Sequence, residues 1–207
     1  MTFATLLLIV QVAAFQPVVT CGVPEHATND RPSNDSRTPV ERQSEWQVAA
    51  GLAKSVSLFQ SAAGRAYAVQ TVGWSRELTG DLNIIGIPGR FAWGVEAMPV
   101  FAQFDPSAMY GVGFAPVVWR WNFPPRPTWS AYAELSMGGL WSSEPLPEHT
   151  SRGNFTAHWG GGIRLRPRGG KAWLIGYRFQ HFSNGNQLGS NPGVNSHVVI
   201  AGWTKRS

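Results

Sequence analysis

From residue 45 onward the chain alternates large apolar with small or polar residues, in segments of about 10–14 residues separated by Pro-, Gly- and Asp-containing breaks. Successive strand side chains point to opposite faces, so such a segment reads as a strand with one apolar and one polar side. Eight segments follow this pattern: about 46–59, 65–77, 90–104, 109–123, 128–142, 153–166, 171–183 and 194–204. In the fifth, Trp129, Ala131, Ala133, Leu135, Met137 and Trp141 oppose Ser130, Tyr132, Glu134 and Ser136. In the sixth, Phe155, Ala157, Trp159, Ile163 and Leu165 oppose Asn154, Thr156, His158, Arg164 and Arg166. In the seventh, Trp173, Ile175, Tyr177 and Phe179 oppose Gly176, Arg178 and Gln180.

A soluble lipocalin-like barrel would share this alternation, with its apolar side inward. Three features favour the inverse arrangement. The segments are long enough to cross a bilayer at a tilt. Their apolar faces carry Trp, Phe and Tyr near the ends, as an aromatic girdle does. Their other faces mix Gly and Ala with charged groups, which suits the packed lumen of an eight-stranded barrel. An even strand count lets the edges meet, as lipid requires. The expectation is an all-β chain, an eight-stranded antiparallel outer-membrane β-barrel over residues 45–207, reached by export through the periplasm. Only 14% of the 207 residues are charged, and mean hydropathy is −0.14, which excludes a helical membrane protein. With the first strand starting in the periplasm, the short links 124–127 and 167–170 fall on that side. The longer links near 143–152 and 184–193 fall outside. The link 78–89 is long for a periplasmic turn.

Leu6 to Phe15 is an apolar run resembling a secretory signal, so residues 1–21 are read as a signal peptide and the polar residues 22–44 as a disordered leader. Cys21 is the one cysteine, which excludes an intrachain disulfide. Val18-Val19-Thr20-Cys21 weakly resembles a lipoprotein box, leaving open lipidation or an unmodified Cys.

The formal charge is +5, and no Asp or Glu occurs after Glu148, whereas Arg152, Arg164, Arg166, Arg168, Lys171, Arg178, Lys205 and Arg206 do. Such a basic end suits phosphorylated lipid headgroups. The basic residues alternate with apolar ones and form no basic helix, so nucleic acid is not an expected partner. Glu96 and Glu134 fall on the small or polar faces, where they are expected to pair in the lumen with Arg120, Arg164 or Arg178. His158 shares that inner face and is read as a lumen hydrogen-bond partner. No His/Cys/Asp/Glu cluster has metal-ligand spacing and no Gly loop cradles phosphate, so neither metal nor cofactor is expected.

One pair is out of place. His181 and Ser183 are two apart, on the face that carries Trp173, Ile175, Tyr177 and Phe179. Polar groups on a lipid-facing wall are costly unless partnered. At the outer end of its strand the imidazole can take the serine proton, and the serine can attack an ester carbonyl. The plainer alternative is that both residues lie harmlessly at the headgroup boundary.

His181-Phe182-Ser183-Asn184, followed by Asn191-Pro192-Gly193-Val194-Asn195-Ser196, resembles the lipid A 3-O-deacylase (PagL-type) family, many of whose members are called acyloxyacyl hydrolases. The resemblance extends through Arg90–Glu96 to Pro99, Tyr110–Phe114, Tyr132-Ala133-Glu134 and Tyr177-Arg178-Phe179. It implies an outer-membrane barrel that hydrolyses a lipid A acyl ester without cofactor, with lipopolysaccharide in the outer leaflet as its partner. It implies Ser183 as nucleophile and His181 as base. Asn184, with Gly185 and Asn191 of the adjoining loop, is implied as the oxyanion and substrate contact. The family pattern has a Glu in the last strand to orient the His; Asn195 stands there. Asn can accept an imidazole N–H but cannot stabilise imidazolium by charge. The alternative is a barrel that holds lipopolysaccharide, or plays a structural role, without cleaving it.

Overall fold

The computed structural model describes residues 42–165, 171–187 and 191–207. The proposed signal peptide with Cys21, leader residues 22–41 and the link 166–170 lie outside the described residues. The strands are β1 (Ser44–Val56), β2 (Ala66–Glu77), β3 (Leu82–Ile84), β4 (Ile87–Asp105), β5 (Met109–Asn122), β6 (Trp129–Ser142), β7 (Gly153–Leu165), β8 (Lys171–Ser183) and β9 (Val194–Arg206). Eight long strands pair in sequence order and antiparallel; β9 pairs β1, and β2 pairs β4, which closes the barrel. A strand of 13 residues at ~3.3 Å each, tilted by about 40°, rises about 30 Å, the thickness of a bilayer's hydrocarbon core.

Burial alternates strictly on β1, β2 and β8, with the polar side turned in. Trp141, Phe155, Trp159, Trp173 and Ile175 face outward, more than half exposed. Arg120, Glu134, Arg164 and Arg178 are buried within. Such a wall is stable only against lipid, because water would meet the apolar side and leave the charges inside. Trp46, Trp129, Trp173 and Trp203 lie near the end where the start of β1 meets the end of β9; Phe104, Tyr110, Trp141 and Phe155 lie near the other. They form the two interfacial belts of a membrane barrel.

The lumen has two halves. Toward the start of β1 and the end of β9 it is ionic. Arg178 grips Glu96 with both terminal nitrogens (2.8 and 2.7 Å) and reaches Glu134 through Nε (2.8 Å). Arg120 joins Glu134 (2.8 Å) to Glu45 (3.1 Å), and Arg164 also reaches Glu45 (3.0 Å). The expected pairing of Glu96 and Glu134 with lumen arginines is therefore present, and Glu45, at the first strand's edge, is an additional member. His158 lies on the inner face, 3.6 Å from Glu134. The Tyr132 ring lies beneath Arg120 and Arg164, 4.7 and 4.5 Å from the guanidinium carbons. Gly162 makes room for it, since a Cβ there would lie 2.8 Å from the tyrosine oxygen. Toward the loops the lumen is apolar, filled by Tyr67, Phe101, Met109, Leu140, Phe182 and Val194.

Two departures from the sequence reading have local causes, and two prolines inside strands are accommodated by bulges. The first strand ends at Val56 rather than near residue 59, because Phe59 and Gln60 turn into the left-handed region (φ 53° and 63°). The long link 78–89 contains a hairpin: β3 pairs with the start of β4, which begins at Ile87 rather than Arg90. Pro99 and Pro116 sit inside strands, and each falls in a register shift, between Met98 and Phe101 and between Phe114 and Val117. A proline cannot donate to the ladder, and a bulge removes the demand.

Candidate active site on the outer wall

The last three residues of β8 are fixed from inside. Phe182 points into the lumen and is fully buried, its ring 5.7 Å from Phe101 and 5.9 Å from Tyr67. Alternation then turns His181 and Ser183 outward, where both are half-buried. His181 lies opposite Ala157 of β7 and Asn195 of β9, and Ser183 lies opposite Phe155. The pair thus stands at the loop end of the span, on the wall that faces lipid.

Asn195 also faces outward by alternation, yet it is 5% exposed. The loop after β1 covers it. Asn195 Nδ2 donates to the Leu58 carbonyl (2.9 Å), and Asn195 Oδ1 lies 2.7 Å from His181 Nδ1. A carbonyl only accepts, so the amide must present its NH2 to Leu58 and its oxygen to the imidazole. The oxygen in turn requires Nδ1 to carry the proton, which leaves the lone pair on Nε2. The structure brings His181 and Asn195 within hydrogen-bond distance, as the motif predicts, and adds Leu58, of which the motif gave no sign.

Gly193 frames the other edge of the ring. Its φ is +64°, and a Cβ there would meet His181 Cε1 at 2.9 Å and the Phe182 carbonyl at 3.0 Å. The turn's left-handed backbone and the close approach of the imidazole both call for glycine. After Ser183, the amide of Asn184 donates to Asn191 Oδ1 (3.1 Å), and the amide of Asn186 donates to Asn184 Oδ1 (2.9 Å). Gly185 and Asn186 are left-handed, with φ 65° and 67°. Asn184, Gly185 and Asn191 therefore belong to one turn directly above the serine. Residues 188–190 of that loop lie outside the described residues. Among the described residues no group of three or more His, Cys, Asp or Glu is placed to hold a metal ion.

A neighbouring ion pair stiffens the rim. Arg65, at the end of the loop after β1, pairs with Glu148 of the link 143–152. The hydrogen bonds from Arg65 hold the Glu148 carboxyl below the usual carboxylate range.

An eight-stranded barrel with an apolar exterior and a charged lumen is an outer-membrane protein. A family model described as lipid A 3-O-deacylase (PagL) matches residues 62–204. The chain belongs to that family, which places it in the outer membrane among lipid A deacylases. The crystal structure of the outer membrane enzyme PagL superposes with a TM-score of 0.57 at 17% identity, covering 77% of this chain and 98% of that one. The crystal structure of Neisserial surface protein A (NspA) gives a TM-score of 0.45 at 15% identity, covering 79% and 96%. The outer membrane protein OprG from Pseudomonas aeruginosa gives 0.44 at 8%, covering 80% and 95%. Comparison with curated protein sequences finds no match.

Proposed function

We propose that this chain is an outer-membrane esterase that removes an ester-linked acyl chain from lipid A by a serine–histidine mechanism. The single observation that carries this reading is the bond from His181 Nδ1 to Asn195 Oδ1, which leaves Nε2 basic on the wall that bears Ser183. Membership of the deacylase family supplies the substrate class.

The steps follow from the residues. The Ser183 hydroxyl gives its proton to His181 Nε2 as Oγ attacks the ester carbonyl. The carbonyl oxygen becomes an oxyanion beside the Asn184 amide, which turns from Asn191 Oδ1 toward the new charge. Imidazolium then protonates the sugar's ester oxygen as its bond to the acyl carbon breaks, so the sugar departs with a free hydroxyl and an acyl-serine remains. Water, deprotonated by Nε2, releases the fatty acid and restores Ser183. The lipid-facing position supports this use, because the acyl chain stays in the leaflet while its ester reaches the rim. Asn195 holds the ring through a neutral acceptor, so the imidazolium lacks the charge partner that the family's Glu would give.

Purified protein in detergent with lipid A as substrate tests the proposal. Free fatty acid should appear with wild type and disappear with Ser183→Ala, while the variant still shows the heat-modifiable mobility of a folded barrel. Full activity in Ser183→Ala would overturn the assignment.

A further inference from the structure

The loop after β1 is tied to the site more closely than a simple connection requires. Ser61 is buried, and its hydroxyl donates to the Val56 carbonyl (2.9 Å) while accepting from the Leu58 amide (3.2 Å). The Ser61 amide donates to the Leu58 carbonyl (3.1 Å), the same oxygen that receives Asn195 Nδ2. The Ala62 amide donates to the Gly193 carbonyl (3.0 Å), next to the His181 ring. Between these ties Phe59 and Gln60 adopt left-handed backbone, which non-glycine residues keep only where their surroundings hold them.

We propose that the loop Val56–Ala62 is a positioning element of the catalytic site: its Leu58 carbonyl orients the Asn195 amide and so fixes His181 in the Nδ1–H tautomer. The inference rests on the serine–histidine reading above. It explains how a neutral residue takes the acid's place. An unrestrained Asn could flip and offer His181 a donor, stabilising the opposite tautomer, in which Nε2 carries the proton and cannot act as base. A carboxylate has no wrong face; an amide does, and the loop removes it. Ser61 matters because its hydroxyl closes the turn that sets the Leu58 carbonyl.

The test is a double-mutant cycle joined to nitrogen NMR of the full barrel in detergent micelles, with His181 assigned by a His181→Gln variant. In wild type at neutral pH, Nδ1 of His181 should show the protonated and Nε2 the unprotonated shift. Ser61→Ala should move the two nitrogens toward averaged shifts. It should lower kcat about tenfold, the order of one hydrogen bond, while KM stays within about twofold. In an Asn195→Ala background the same change should alter kcat by less than about twofold, because the loop then has no amide to orient. Heat-modifiable mobility reports that each variant is folded. An Nε2–H tautomer in wild type, unchanged shifts in Ser61→Ala, or additive losses in the cycle would overturn the proposal. If the tautomer lock holds but wild type releases no fatty acid, the esterase reading fails and the positioning role of the loop stands.

Discussion

At His181 the bond from Nδ1 to Asn195 Oδ1 holds the ring but supplies no charge, and the other face of the ring is set by Gly193. That glycine gives a prediction of its own. Alanine there would put a methyl 2.9 Å from His181 Cε1 and keep a φ of +64°. The left-handed backbone alone costs an L-residue about 1–2 kcal/mol. The ring must shift, and a misplaced base slows proton transfer. Gly193→Ala is expected to lower kcat by at least about tenfold, with the barrel still folded, as fatty-acid release and gel mobility would register. Near-wild-type kcat would mean that the imidazole tolerates displacement. The neighbouring Asn184 amide orders the turn through Asn191, and in the proposed mechanism it turns to the oxyanion.

Individual strands carry the site through what they bury. Phe182 anchors the end of β8 inside the apolar half of the lumen, so the outward aim of its two neighbours depends on it. Phe182→Ala should lower unfolding stability by roughly 3–5 kcal/mol, measured by denaturant titration in detergent, and reduce activity in the same variant. The ion pair between Arg65 and Glu148 ties the loop after β1 to the link 143–152. Because the carboxyl's pKa is lowered from 4.5, this tie is fully present above that value and is lost as pH falls through the lowered one. Protection factors in the link, with the intrinsic pH dependence of exchange divided out, should therefore be unchanged from pH 7 to 5 and fall only on further acidification. The strands themselves were legible in the sequence wherever alternation was regular, as in β6, β7 and β8. Their ends were not. Leu58 and Phe59 continue the apolar pattern of β1 although the backbone has already turned, and Glu45 stands one residue outside the first segment, 46–59, although it is a lumen residue. The motif singles out His181, Ser183 and Asn195 as candidates, and the fold sets them close together on neighbouring strands. The Leu58 carbonyl stayed hidden, because every residue has one and only the fold selects it.

The whole molecule places two environments in one tube. Its ionic half links facing strands through Arg120, Glu134 and Arg178, and its apolar half packs Phe182 beneath the rim that carries the proposed site. Removing one partner of a buried ion network leaves the others unpaired, at a cost of about 3–5 kcal/mol. Glu134→Ala should accordingly lower the unfolding midpoint while the remote site keeps its geometry; an unchanged midpoint would show that the network adds nothing. The barrel's exterior requires lipid, and its membership of the deacylase family defines the membrane. The most direct measurement of the central claim is mass spectrometry of lipid A from cells expressing wild type, Ser183→Ala, or neither, with outer-membrane fractions checked for equal folded barrel. Wild type should produce lipid A lighter by one ester-linked acyl chain, and Ser183→Ala should match cells without the protein. An identical acylation pattern in all three would contradict the account and leave a barrel that holds lipopolysaccharide without cleaving it.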